Sequence, residues 1–201
     1  MRHRKTILVL GSGSGGVARA FESASDWKIV RIDNNPRFVS VSHTRTLDIL
    51  DWMDWIEDIG PVELLWASIE CYEFTTLVKD RDPDLRVAEA VKAIIDHLKP
   101  QHWVIENVRG ACKWFDPLYG KHRQVIGPFF LWGVFPWLDI HVRYKGRAKS
   151  SYCPEGGDGR WLFNGQEYNK WGTEQNAEIP ITISSALLDA VEGFVSLEEF
   201  S

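Results

Sequence analysis

At 201 residues, 44% apolar and 25% charged, the chain has the length and mix of one globular domain that can bury its own core. A net charge of −5 argues against tight, sequence-blind nucleic-acid binding, and no apolar run approaches the roughly 20 residues that span a bilayer. The three cysteines, Cys71, Cys112 and Cys153, form no C-x-x-C pair, which argues against a disulfide scaffold or a metal site and points to a reducing, cytoplasmic setting.

The basic start, Met1 to Lys5, leads into an apolar stretch that stops at Gly11, too short for a signal peptide. Thr6 to Leu10 predicts a first buried strand, followed by Gly11-Ser12-Gly13-Ser14-Gly15-Gly16 and a helix over Val17 to Ala24. Lys28 to Ile32 predicts a second strand ending at Asp33, with a turn at Asn34-Asn35-Pro36. A short third element ends near Asp48. Trp52 to Ile59 reads as a short helix stopped by Gly60-Pro61, and Val62 to Ala67 as the fourth strand. Asp84 is placed to cap a helix with Val87, Ala88, Val91, Ile94, Ile95 and Leu98 inward. Lys99-Pro100 ends it, and Trp103 to Ile105 is the fifth strand. Strands and helices alternating at this spacing predict an α/β fold with a doubly wound, mostly parallel sheet.

After Arg109 the rhythm breaks. Between Arg109 and Lys170 ten Lys or Arg stand against five Asp or Glu, a basic region on an acidic body that suits phosphate contacts. Phe129, Phe130, Trp132, Phe135 and Trp137 crowd into nine residues and are expected to pack as hairpins against the sheet. Ser184 is placed to cap a last helix carrying Leu187, Leu188 and Val191 inward. The expected organisation is a core over 1–108, a basic, aromatic-rich, irregular insertion over 109–175, and a segment returning to the core over 176–201.

Two sets of residues carry chemistry. Gly11, Gly13 and Gly16 satisfy G-x-G-x-x-G between a strand and a helix, where glycine lets a ligand approach the main chain. Asp33, at the end of the second strand, suits the two hydroxyls of a ribose. This pair fits NAD and S-adenosylmethionine alike. Asp48 suits an adenine amino group, or else caps the segment that follows it. The second set is Cys71 and Glu106, each just beyond the C-terminal end of a buried strand, where open α/β sheets bind ligands. Together they could act on an electrophilic ring.

In this order the motifs resemble those of the cytosine-5 DNA methyltransferases, especially the small phage forms. Gly11 to Glu22 is similar to the family's glycine motif, Asp33 to its ribose-binding acid and Leu47-Asp48-Ile49 to its adenine-side acid. Ala67 to Thr75 is similar to the catalytic loop, Glu106-Asn107-Val108 to the E-N-V triplet, and Asn176 to Pro180 to the last motif. The resemblance implies a Rossmann-like, S-adenosylmethionine-dependent methyltransferase acting on carbon 5 of cytosine in DNA, in the setting of phage DNA protected from restriction. It implies that Gly11, Ser12, Gly13, Gly15, Gly16, Asp33, Asn34, Asp48, Ile49 and Asn176 surround the cofactor. Cys71 would attack carbon 6, Glu106 would bond the ring nitrogen and amine, Asn107 would hold the Cys71 loop, and Arg123 would contact the base's carbonyl oxygen. The base must be flipped out or single-stranded.

The family places proline before its nucleophile; here Glu70 stands there, and both Glu70 and Glu73 put negative charge near a thiol that must ionise. Two rivals follow: a catalytically weak or inactive DNA-binding accessory protein on the same fold, and an NAD-dependent oxidoreductase. About 65 residues is little surface for reading a duplex, so a short target, a single-stranded substrate, or help from a protein partner or second copy are the alternatives.

Overall fold

The computed structural model describes residues 4–74, 82–145, 160–169 and 178–198. Seven strands form one sheet in the order β3-β2-β1-β4-β5-β7-β6. They are β1 (Lys5–Leu10), β2 (Trp27–Asp33), β3 (Thr44–Thr46), β4 (Leu64–Ser68), β5 (His102–Asn107), β6 (Gln124–Ile126) and β7 (Phe129–Val134). The first five are mutually parallel and β7 runs antiparallel between β5 and β6. The fold is Rossmann-like, with the winding reversed at β1, which has β2 on one side and β4 on the other.

Alternation along β1 explains the layering. Leu8 and Leu10 face a cluster with Trp55, Val91, Ile94 and Phe115, contributed by α1 (Trp52–Trp55), α2 (Arg86–Leu98) and α3 (Cys112–Tyr119), and with Ile59 beyond α1. Ile7 and Val9 face the opposite cluster with Val17, Phe21, Ile183, Leu187 and Val191, the last three from α4 (Ile181–Glu198). Each fully buried Val or Ile of α2 stabilises this packing by roughly 1.5–3 kcal/mol. Lys99 closes α2 in a left-handed conformation, φ 48°, immediately before Pro100.

Several expectations are corrected. The helix expected over Val17 to Ala24 is two 3₁₀ turns, Gly16–Ala18 and Ala20–Ser23. Burial of Val17, Ala18 and Phe21 holds this segment against the sheet. Ser184 does not cap α4, which begins at Ile181; its hydroxyl donates to Val17 O and accepts from Ala20 N, tying α4 to the segment after the glycines. Within 109–175, α3 packs on the main sheet and β6 and β7 extend it. Of the aromatics there, Phe129, Phe130, Trp132 and Phe135 are buried, while Trp137 is 63% exposed. A second, small antiparallel sheet of β8 (Val142–Lys145), β9 (Arg160–Phe163) and β10 (Gln166–Asn169) sends Phe163 into the core beside Phe129. Asn164 and Gly165, both at positive φ, make its tight β9–β10 turn.

Candidate active site

The glycine loop is shaped by close approaches. Gly11 (φ 64°) lies so near β4 that a side-chain carbon there would come within 2.3 Å of Ser68 O. A Cβ on Gly16 would meet Ile179 O at 2.5 Å. Gly13 differs: it has φ 49° but, among the described residues, nothing within 4 Å of where a Cβ would be, so its outer face is open. Beside it the Ser12 hydroxyl is buried and has no hydrogen-bond partner among the described residues. An open main-chain cradle next to an unsatisfied buried hydroxyl is what a polar ligand would complete.

Asp33 is buried, and its two oxygens accept from Gly13 N (2.8 Å) and Asn35 N (2.9 Å). Each oxygen keeps a second lone pair for a ligand hydroxyl. Arg31, which the sequence reading missed, is fully buried and braces the loop through Gly15 O (3.3 Å) and Glu22 Oε1 (2.7 Å). Asp48 takes a hydrogen bond from Leu50 N (2.9 Å) on one oxygen and from Asn34 Nδ2 (3.3 Å) on the other. The first bond closes a turn at Asp48–Leu50, whereas α1 starts after Asp51 with no side-chain cap; the second sets Asp48 beside the end of β2. The Ile49 side chain is part of the core, so only its main chain could reach a ligand. Asn176 lies outside the described residues.

Cys71 and Glu106 are brought together by the register of β4 and β5, which pairs Ser68 with Glu106. Glu106 is half-buried, and desolvation pushes its pKa up to about 7, partly offset by a hydrogen bond from the Ser68 hydroxyl. That hydroxyl is aimed by Trp66 Nε1, which donates to Ser68 Oγ at 2.8 Å. Cys71 is solvent-exposed, yet its thiol is raised to about 11 by partial desolvation and then by the charges of Glu106 and Glu70.

The missing proline is replaced by other anchors. Asn107 is buried; its Nδ2 donates to Ile69 O (3.1 Å) and its Oδ1 accepts from Val108 N (2.8 Å). Ile69 is buried before Cys71, and Phe74 after it packs edge-on against Phe115 at 5.0 Å. Phe74 N donates to Cys71 O (3.1 Å), Tyr72 N to Glu70 Oε1 (3.3 Å), and Asp84 N to Glu73 Oε2 (2.8 Å). The loop is thus fixed on both sides of the sulfur. Thr75, at its end, is outside the described residues.

Arg123 precedes Gln124 of β6, which the register sets level with Glu106 two strands away, and its guanidinium lies 5.6 Å from the ring of Phe135. A shallow depression of about 320 Å³ beside Lys28–Val30 and His43–Arg45 lies away from these residues.

The glycine loop and the Cys71–Glu106 pair share one end of the sheet, at the point where winding reverses. Leu10 and Ala67 are register partners, so the two loops leave neighbouring strands side by side. No family model and no curated protein matches the chain. Among solved structures it is similar to that of a fibrillarin/Nop5p complex (TM-score 0.46, 12% identity, 66% of this chain and 73% of that one). It is similar also to a candidate DNA modification methyltransferase from an Escherichia coli prophage (TM-score 0.46, 15% identity, 65% of this chain and 46% of that one). A third is the Dnmt2 methyltransferase of Schizosaccharomyces pombe (TM-score 0.41, 22% identity, 58% of this chain and 39% of that one). The chain thus spans less than half the length of the last two. At such scores these likenesses add nothing to the functional reading, which rests on the geometry of the cleft.

Proposed function

We propose that the protein transfers a methyl group from S-adenosylmethionine to carbon 5 of cytosine in DNA, through a covalent adduct on Cys71. The observation that carries this reading is an exposed thiol held beside a carboxyl of pKa about 7, next to an open glycine cradle. The Gly11–Gly16 loop and Ser12 would hold the cofactor's body, Asp33 its ribose, and Asn34 with Asp48 its adenine side. When bound it supplies an electrophilic methyl group.

The chain's own residues then act on the base. Near neutral pH a useful fraction of Glu106 is protonated and can donate to the ring nitrogen N3. Protonation also removes the negative charge that most disfavours the Cys71 thiolate, so one proton serves two steps. The thiolate adds to carbon 6 as electron density moves toward N3 and carbon 5 becomes nucleophilic. After carbon 5 takes the methyl group, loss of its proton to a base expels the thiolate and restores the ring. Asn107 holds the loop on which the sulfur travels. Arg123, just before the β6 residue that is level with Glu106, would contact the base's carbonyl oxygen.

Tritiated S-adenosylmethionine with DNA and RNA substrates tests the proposal. Label should enter cytosine in DNA and fall at least a thousandfold in Cys71→Ser and Glu106→Gln. DNA binding by a protein that incorporates no label would favour the accessory-protein reading; NAD binding without S-adenosylmethionine binding would favour the oxidoreductase.

A further inference from the structure

None of the residues assigned to the cleft explains a second cluster on α3. Cys112 opens that helix, and Asp116 follows one turn later on the same face. His122 lies just beyond the helix end at Gly120. Its Nδ1 is 3.9 Å from Cys112 Sγ and 3.7 Å from Asp116 Oδ1, and the three donor atoms all lie within 4.8 Å of one another. The nitrogen–oxygen separation is too long for a hydrogen bond. It is close to what a shared small cation requires: zinc with bonds of about 2.0–2.3 Å holds its donors about 3.3–3.6 Å apart.

The geometry also excludes a nucleophile–base–acid relay. In such a relay the cysteine and the carboxylate occupy opposite ring nitrogens. Here both face Nδ1, converging on one point. The surroundings hold the donors in place. His122 packs edge-on against Phe130 (5.2 Å) and Trp132 (6.0 Å), and Trp132 Nε1 donates to Asp116 Oδ1 at 2.7 Å, as an outer-shell partner of a ligating carboxylate would. All three donors are half-buried rather than fully solvated.

We propose that Cys112, Asp116 and His122 form a zinc site, completed by water, that clasps α3 to the turn leading into β6. Thiolate, imidazole and carboxylate together suit zinc better than calcium or magnesium, which prefer oxygen alone. The C-x₃-D-x₅-H spacing escaped the sequence reading because a helix turn supplies two donors and a separate turn the third.

The full-length chain, stripped with chelator, should bind one equivalent of Zn²⁺ in competition with a chromophoric chelator. With Co²⁺ it should show thiolate-to-metal absorption in the near ultraviolet. Cys112→Ser and His122→Ala should each weaken binding tenfold or more and the first should abolish the absorption, while Cys71→Ser leaves both intact. Asp116→Asn keeps an acceptor for Trp132, so weaker binding with an unchanged circular dichroism spectrum separates lost ligation from misfolding. Wild-type affinity in Cys112→Ser and His122→Ala, or absorption that disappears only with Cys71 or Cys153, would overturn the proposal.

Discussion

Glu106 is the residue on which stability and chemistry pull in opposite directions. Its folded pKa of about 7 lies above the ordinary 4.5, so the native state favours the protonated form. That contribution is complete below about pH 4.5 and is lost as pH rises through 7. Glu106→Gln, which mimics the neutral carboxyl, should leave stability unchanged at pH 4.5 and raise it by up to about 3 kcal/mol at pH 8, read by urea unfolding at both values. Cys71 gives a second residue-scale prediction. Alkylation of its peptide, followed by mass spectrometry, should accelerate with pH until about 11, and Glu106→Gln or Glu70→Gln should move that midpoint down. In the active form Glu106 must be protonated while Cys71 is ionised, the reverse of the order in which they titrate. The profile of kcat/KM should therefore rise about tenfold per pH unit below 7 and level off between about 7 and about 11.

At the scale of elements, two loops set the site. Gly11 is fixed by a positive φ and by Ser68 O. Gly11→Ala should cost about 1–3 kcal/mol in the unfolding free energy from backbone strain alone, with loss of S-adenosylmethionine binding in calorimetry. Asn107→Ala removes the bond to Ile69 O while leaving Cys71 and Glu106 in sequence. It should destabilise by about 1–3 kcal/mol and lower kcat more than it raises KM, because the thiol loses its aim rather than its reactivity. The elements that place these loops were legible where burial was simple. β1, β2, β4 and β5 are near-continuous apolar runs, and α2 shows a stripe at helical period, so each was found to within about two residues. The 3₁₀ turns after Gly16 were misread because pattern distinguishes apolar faces, not helix types. β6 and β7 were missed as sheet members because an antiparallel aromatic pair looks alike whether it extends a large sheet or stands alone.

For the whole molecule, what matters is that chain winding reverses at β1. Reversal puts the glycine loop and the Cys71 loop on adjacent strands and leaves the cleft at their C-terminal ends. The alternation of strands and helices made this arrangement readable, and with it the meeting of Cys71 and Glu106. The resemblance assigned Asn107 to the Cys71 loop, but sequence could not show that Ile69 and Phe74 also anchor it, since Phe74 packs against Phe115 of α3. Nor could it show that the Arg123 guanidinium lies over the ring of Phe135.

The most direct test uses DNA carrying 5-fluorocytosine, whose fluorine cannot depart as a proton does, so the adduct persists after methyl transfer. With S-adenosylmethionine present, the chain should gain the mass of the oligonucleotide, and peptide mapping should place the bond on Cys71. Methyl transfer to ordinary cytosine with no trapped species, or a bond to Cys112 or Cys153, would contradict the account.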